Sequence, residues 1–269
     1  MTNRFFTEEE NRLNSQFLTD GYIVSDVENK DSLKRIRDKI IDITSSYLGD
    51  QIIDCSSYLD NIHKRVSSSN LNELRLQVFH QINRDDWFRE SYYKLARRLL
   101  DVVVGNELAM QLRVNLSIQL PEDDSSLLPV HADAWSGDSP FEVVVWLPLV
   151  DCYGSKTMYL LPPSSTIGLH EDFGKSSGKS SEDIFRLIEK DLIWIEIPFG
   201  QVMLFNQNLP HGNRINTEDE TRWSMNCRFK SLFSPYADKK LGEFFEPITL
   251  RGASKVGIEY ELPFSKNLR

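Results

Sequence analysis

Apolar positions in the first hundred residues recur at helical spacing. Leu33, Ile36, Ile40, Ile41 and Ile43 share one face of a stretch from about Asp31 to Tyr47, which predicts an amphipathic helix. Thr7 followed by Glu8, Glu9 and Glu10 predicts a helix start, with a capping hydroxyl and acid in the first turn. Gly21 ends that segment, and Tyr22-Ile23-Val24 reads as a short strand. Further helices are predicted over roughly Leu71 to Ile82 and Trp87 to Val104. The period changes near Glu107. Beyond it the β-rich runs are Met110–Leu120, Glu142–Leu149, Thr157–Leu161, Leu192–Ile197, Gln201–Phe205 and Arg222–Leu232, interrupted by a helical segment from about Ser181 to Lys190. Helices first and strands afterwards predict an α+β fold. We divide it into a mostly helical cover (1–105), a β core (106–234) and a C-terminal extension (235–269), all in one domain spanning 1–269.

Two of the strands alternate in an unusual way. Met110, Leu112, Val114, Leu116 and Ile118 share one face; Gln111, Arg113, Asn115, Ser117 and Gln119 share the other. Near the C-terminus, Trp223, Met225, Cys227 and Phe229 face one way, and Arg222, Ser224, Asn226 and Arg228 face the other. Such a pattern fits an antiparallel sheet with one solvated face. It fits equally a barrel with a polar interior whose apolar exterior is covered by the N-terminal helices.

Composition narrows the partners. The chain has 269 residues, 31 Lys plus Arg against 40 Asp plus Glu, and a net charge of −9. That balance repels phosphate backbones and argues against nucleic acid as partner. Cys55, Cys152 and Cys227 lie far apart, form no CxxC pair and are odd in number, which argues against a zinc ribbon or a disulfide framework. The longest apolar run, Val143 to Val150, is broken by Pro148 and falls far short of the roughly 20 residues of a membrane span. The N-terminus turns acidic where a signal peptide needs an apolar stretch. A soluble, cytoplasmic protein is the expectation, and the oligomeric state stays open. Gly174 to Ser181 reads as a flexible loop, with an active-site lid as the sharper option.

His131-Ala132-Asp133 follows a loop rich in Asp, Ser and Pro. On extended backbone, residues i and i+2 project to one side, so both side chains can reach one ion. The third ligand must come from His63, His80, His170 or His211. Gly200 opens a strand that leads to His211, with Arg222 beyond it, and this order selects His211. Two imidazoles and a carboxylate on one face of a metal leave adjacent positions open, as in non-haem Fe(II) oxygenases. Arg222 and Ser224 lie on one strand face, where a guanidinium fork and a hydroxyl can hold a dicarboxylate such as 2-oxoglutarate. Taken alone, Arg222 reads first as a surface partner of Glu218, Asp219 or Glu220; taken with the metal ligands, it reads as the cosubstrate's anchor. Arg228, Arg214 and Trp135 are candidates for substrate binding, with salt bridges or packing as the alternatives.

These residues resemble the Fe(II)/2-oxoglutarate-dependent dioxygenases, and within them the phytanoyl-CoA hydroxylase-like group. Phe17 to Val24, His131-x-Asp133, His211 and Arg222 carry the match in order and approximate spacing. Met158 to Ser165 is similar to the group's strand ending in Pro-Gly-Ser-His, with Pro163 for the Gly and Ser165 for the His. The resemblance implies a double-stranded β-helix (a jelly roll, or cupin-like barrel) with helices on one face. It also implies Fe(II) with 2-oxoglutarate and O2 as cosubstrates, Trp146 beside the cosubstrate and Asn115 near its keto-acid end. A carboxylate at Asp133, where related halogenases carry a small residue, favours hydroxylation, desaturation or epimerisation over halogenation. The stretch from Asn226 to Tyr236 and Leu241 to Phe245 is similar to a bacterial subgroup found among surface-carbohydrate biosynthesis genes, which implies a sugar, a nucleotide-sugar or a related small polar substrate; Arg228 on the polar face would suit an anionic group on it. Three other readings of the residues stand beside this one: a Zn- or Mn-dependent cupin-type isomerase or hydrolase, a non-catalytic carbohydrate-binding jelly roll, and action on a protein, the acidic balance arguing only against nucleic acid.

Overall fold

Helix α1 (Glu8–Asp20) starts at Thr7 through a reciprocal cap. The Thr7 hydroxyl accepts from the Glu10 N–H, and the Glu10 carboxylate accepts from the Thr7 N–H. It ends at Gly21, whose φ of 81° is left-handed and whose added Cβ would meet Leu209 Cδ1 at 2.1 Å. The chain then enters β1 (Tyr22–Asp26). The computed structural model describes residues 3–52, 54–171 and 178–261, so residues 174–177 of the predicted Gly/Ser loop lie outside the described residues.

Helix α2 (Lys30–Leu48) buries Leu33, Ile36, Ile40, Ile41 and Ile43, the stripe read from the sequence. Next come α3 (Ser68–Ile82), α4 (Asp86–Lys94) and α5 (Arg97–Val103). The single helix expected over Trp87–Val104 is therefore two. The Leu95 carbonyl accepts from the Glu28 N–H instead of continuing the helical ladder, Ala96 leaves helical backbone (φ −136°), and the Glu28 carboxylate accepts from the Arg98 N–H.

The strand expected over Met110–Leu120 is likewise two, β2 (Leu108–Gln111) and β3 (Asn115–Gln119). Asn83 causes the break. Its side chain accepts from the Val114 N–H at 2.8 Å and donates to the Val114 carbonyl at 3.0 Å, which removes Val114 from the ladder. The remaining elements are β4 (Glu142–Pro148), β5 (Tyr159–Leu160), α6 (Pro163–Glu171), α7 (Ser181–Ile188), β6 (Ile193–Trp194), β7 (Gln201–Asn206), β8 (His211–Gly212), β9 (Arg222–Ser231), β10 (Phe245–Pro247) and α8 (Gly252–Glu259). Two expected strands shrink to β5 and β6. The unexpected α6 begins at Pro163, a residue well suited to the first turn of a helix.

All the strand pairs are antiparallel. The large sheet runs β1-β7-β4-β9-β2-β10, with β3 also on β9; the small sheet runs β6-β5-β8. The ten-residue β9 is long enough to pair with β4 along its length, with β3 at its start and with β2 at its end. The large sheet does not close on itself. Its apolar face carries Trp223, Met225, Cys227 and Phe229, all fully buried in one core with Ile36, Ile40, Leu74, Val78, Phe88 and Tyr92 of the helices. Two large polar side chains on this side find backbone partners: Trp223 Nε1 donates to the Leu59 carbonyl and the Tyr92 hydroxyl donates to the Val145 carbonyl. Among the described residues, no helix is long and apolar enough to cross a membrane.

Because Trp223 joins the helical layer to the central strand, Trp223→Ala is expected to cost about 3–5 kcal/mol of stability, through lost burial and an unfilled cavity. Urea unfolding followed by circular dichroism measures this, and a loss below about 1 kcal/mol would show that the helices do not depend on this contact.

Candidate metal centre

His131, Asp133 and His211 meet at one point, with candidate ligand atoms all within 4.8 Å of one another. Backbone bonding brings them there. The His131 N–H donates to the His211 carbonyl at 3.0 Å, the His211 N–H donates back to the His131 carbonyl at 2.8 Å, and the Asp133 N–H donates to the Gln207 carbonyl at 3.0 Å. The loop between β3 and β4 is thereby zipped to the segment that leads from β7 into β8. Gly212 follows His211 at a close approach: an added Cβ would lie 2.6 Å from both the Leu128 carbonyl oxygen and the Tyr159 hydroxyl.

The imidazole tautomers follow from their neighbours. His131 Nδ1 lies 2.9 Å from the Pro129 carbonyl, and His211 Nδ1 lies 2.8 Å from the Leu209 carbonyl. A carbonyl can only accept, so in each ring Nδ1 carries the proton. That leaves both Nε2 lone pairs for a cation, the arrangement in which a second hydrogen bond orients a metal-ligating histidine. Burial, reinforced by the adjacent His131, lowers the His211 pKa to about 4, so this ring is neutral at pH 7.

Asp133 is divided between two partners. Oδ1 lies 3.5 Å from His131 Nε2, on the ligand side, while Oδ2 accepts from Arg228 Nη2 at 2.9 Å. Burial pushes its carboxyl upward, but Arg228, His211 and His131 outweigh this and hold it below the usual carboxylate value. Arg228 itself donates through Nε to Gln207 Oε1 at 2.9 Å and lies 3.4 Å from Asp138. Gln207 in turn donates to Glu142 at 3.0 Å. The guanidinium of Arg228, a candidate for substrate from the sequence, is committed to the Asp133 carboxylate beside it.

A cavity of about 520 Å³ opens beside the three groups. Its walls include Asn115 and Ser117 of β3, Val144 and Trp146 of β4, and Arg222, Ser224, Asn226 and Arg228 of β9. The polar faces read from alternation thus line it. Arg222 is 3% exposed. It donates to the Thr157 carbonyl at 2.9 Å and to the Ser117 hydroxyl at 3.1 Å, and its buried Nε has no partner. None of the neighbouring acids expected as alternatives holds it: Glu218 bonds Ser155, and Glu220 pairs with Lys156. Burial lowers its pKa to about 10, which still leaves it charged at pH 7. Asn115 donates to the Asn226 side chain at 2.9 Å.

Two expected substrate residues stand apart from this lining. Arg214 pairs with Glu182 of α7 at 2.6 Å and lies over the Phe185 ring. Trp135 packs against the cluster of Val130, Tyr159 and Leu161. His170 and His63 are not in the ligand cluster; His63 Nδ1 faces the Asp60 carbonyl and the Thr221 hydroxyl. Sequence reasoning missed the support from Gln207, Asp138 and Glu142, and the wall that α3 contributes. A charged Glu142 heading an apolar strand was the available signal for the first group.

No family model matches the sequence, and no curated protein does. Solved structures share its fold. A non-heme monooxygenase, ThoJ, crystallised as a nickel complex, is 18% identical over 83% of this chain and 79% of its own, with a TM-score of 0.52. EctD from S. alaskensis with bound Fe is 16% identical over 88% and 80%, at 0.53. The epimerase SnoN in complex with Fe3+, alpha ketoglutarate and nogalamycin RO is 14% identical over 85% and 86%, at 0.50.

If Arg228 orients Asp133 for a cation, Arg228→Ala weakens Mn(II) binding by about 10–100-fold, and His211→Ala removes a ligand and weakens it further. Anaerobic titration calorimetry measures both. An Arg228→Ala protein that binds Mn(II) as tightly as the parent would show that the ion pair does not serve the carboxylate.

Proposed function

We propose that the protein is a non-haem Fe(II)- and 2-oxoglutarate-dependent oxygenase that hydroxylates a small polar metabolite. One observation carries the reading: a two-histidine, one-carboxylate cluster shares a cavity with a buried arginine that keeps an unpartnered N–H. The donor set suits Fe(II), since two imidazoles and one carboxylate oxygen on one side of an ion would leave the other open. The orphaned Arg222 Nε suits an anionic oxygen, because a buried charged donor without a partner is costly. Fold likeness to a non-heme monooxygenase, to EctD with bound Fe and to an epimerase in complex with Fe3+ and alpha ketoglutarate supports the same reading.

His131, Asp133 and His211 would hold the metal. Arg222 and Ser224 would hold the far carboxylate of 2-oxoglutarate, with Asn115 toward its keto-acid end and Trp146 packed alongside. Bound iron and 2-oxoglutarate supply the oxidising power for attack on a C–H bond. The chain's own work is orientation. Pro129 and Leu209 fix the imidazole tautomers, Arg228 turns one oxygen of Asp133 away from the ligand side, and the β4 and β9 side chains shape a largely buried wall that limits water. Asp133 fills a ligand position that halide would need, so hydroxylation is favoured over halogenation. A sugar or nucleotide-sugar is the substrate class implied by the resemblance, and the protein would act without nucleic acid or membrane.

The decisive experiment adds Fe(II) and 2-oxoglutarate anaerobically, then oxygen, and follows succinate with candidate sugars. Turnover that requires both, with Arg222→Ala raising the 2-oxoglutarate Kd by about tenfold or more through loss of a charge-assisted pair, is the expected result. Failure to bind 2-oxoglutarate in the presence of Fe(II) would overturn the reading. Activity with Zn(II) or Mn(II) and no 2-oxoglutarate would replace it with a metal-dependent isomerase or hydrolase.

A further inference from the structure

The cavity is larger than a metal ion and a five-carbon dicarboxylate require, and part of its wall comes from helix α3. Ser68, Asn72 and Arg75 stand there at positions i, i+4 and i+7, one stripe of the helix, bordering the buried Leu71. Leu127 and Leu128 of the zipped loop also line the cavity.

The chemistry of this stripe is one-sided. Arg75 is half-buried, and its Nη2 donates to Asn72 Oδ1 at 2.6 Å. That bond uses the amide oxygen of Asn72 and leaves its NH2 to donate elsewhere. Among the described residues Arg75, like Arg222, has no carboxylate within ion-pair distance. Arg228 is committed to Asp133 and Arg214 to Glu182. Arg222 would serve the cosubstrate. Arg75 is therefore the cavity-lining arginine whose charge is left over, in a chain whose net charge is −9.

We propose that Arg75, Asn72 and Ser68 form an oxyanion subsite that holds a phosphate or carboxylate group of the substrate while the reacting carbon faces the metal. A guanidinium, an amide NH2 and a hydroxyl are all donors, and together they match an oxyanion better than a neutral hydroxylated surface, which also needs acceptors. The role as a substrate subsite rests on the oxygenase reading. The binding chemistry does not, because it depends only on α3.

The test uses the full chain loaded with Mn(II) and 2-oxoglutarate, titrated with inorganic phosphate and, separately, with acetate. Paramagnetic relaxation of the phosphorus or methyl nuclei by Mn(II) reports saturable binding inside the cavity. The expected result is saturable binding that weakens about tenfold in Arg75→Ala, returns in part in Arg75→Lys and is unchanged in Arg214→Ala. The tighter of the two probes assigns the phosphate or the carboxylate class. Equal affinity in the parent and Arg75→Ala overturns the subsite, as does phosphate that competes with 2-oxoglutarate, since its site would then be Arg222. The 2-oxoglutarate affinity itself is expected to be unchanged in Arg75→Ala. If 2-oxoglutarate fails to bind even the parent, the oxygenase reading falls, and titrating the Mn(II)-loaded chain alone still decides the subsite. Arg75→Gln, which keeps the length and removes the charge, separates lost charge from misfolding.

Discussion

The reciprocal pair of backbone hydrogen bonds between His131 and His211 is the constraint on which the rest of the site depends. The two residues belong to segments far apart in sequence, and neither lies in the large sheet. The pair sits within a run of links: Asn213 N–H to the Leu128 carbonyl, the two bonds between the histidines, then Asp133 N–H to the Gln207 carbonyl. A loop held at several points loses the freedom to present its ligands one at a time. Gly212 and Gly21 leave room for that arrangement, one by admitting Leu128 and Tyr159, the other by admitting Leu209 just ahead of His211.

Strand β9 shows how the same residue type acquires different chemistry from its neighbours. Arg222 and Arg228 lie on one face of one strand. Arg228 meets Asp133, Asp138 and Gln207, so its donors are satisfied and its charge is neutralised where it stands. Arg222 meets a carbonyl and a hydroxyl, neither of them charged, and keeps an orphan Nε. A buried guanidinium with only neutral partners is poised for an anion from outside the chain; one already paired is poised to hold its partner still.

This contrast also marks the limit of what the sequence conveyed. The helical stripe of α2, the two faces of β9 and the cluster of His131, Asp133 and His211 were legible because each depends on local periodicity or on a few residue types in order. The break between β2 and β3 was not, since it is made by Asn83, a residue on another element whose side chain bonds the Val114 backbone. The split of α4 from α5 depends in the same way on Glu28. Arg214 and Trp135 stand close in sequence to the ligands, and their partners, Glu182 for one and the Tyr159 cluster for the other, come from elsewhere in the chain. Proximity along the chain predicts a side chain's direction poorly once the backbone turns, and no periodicity encodes a partner contributed by a distant helix.

A sheet with one polar, cavity-lining face needs its stability from the other face. Trp223, Met225, Cys227 and Phe229 are fully buried against the N-terminal helices, and side chains such as Met225 and Phe229 each contribute on the order of 1.5–3 kcal/mol. Arg222, Ser224, Asn226 and Arg228 alternate with them, residue by residue. The period of two therefore places stability and chemistry on opposite sides of a single strand, and a one-residue slip in register would exchange them. Pairing with β4 from Ser224 to Lys230 and with β3 and β2 at either end makes such a slip costly. The helices that form the first hundred residues are thus part of the site's physics without supplying its ligands: by covering the apolar face they fix the register that turns the polar face toward the metal cluster.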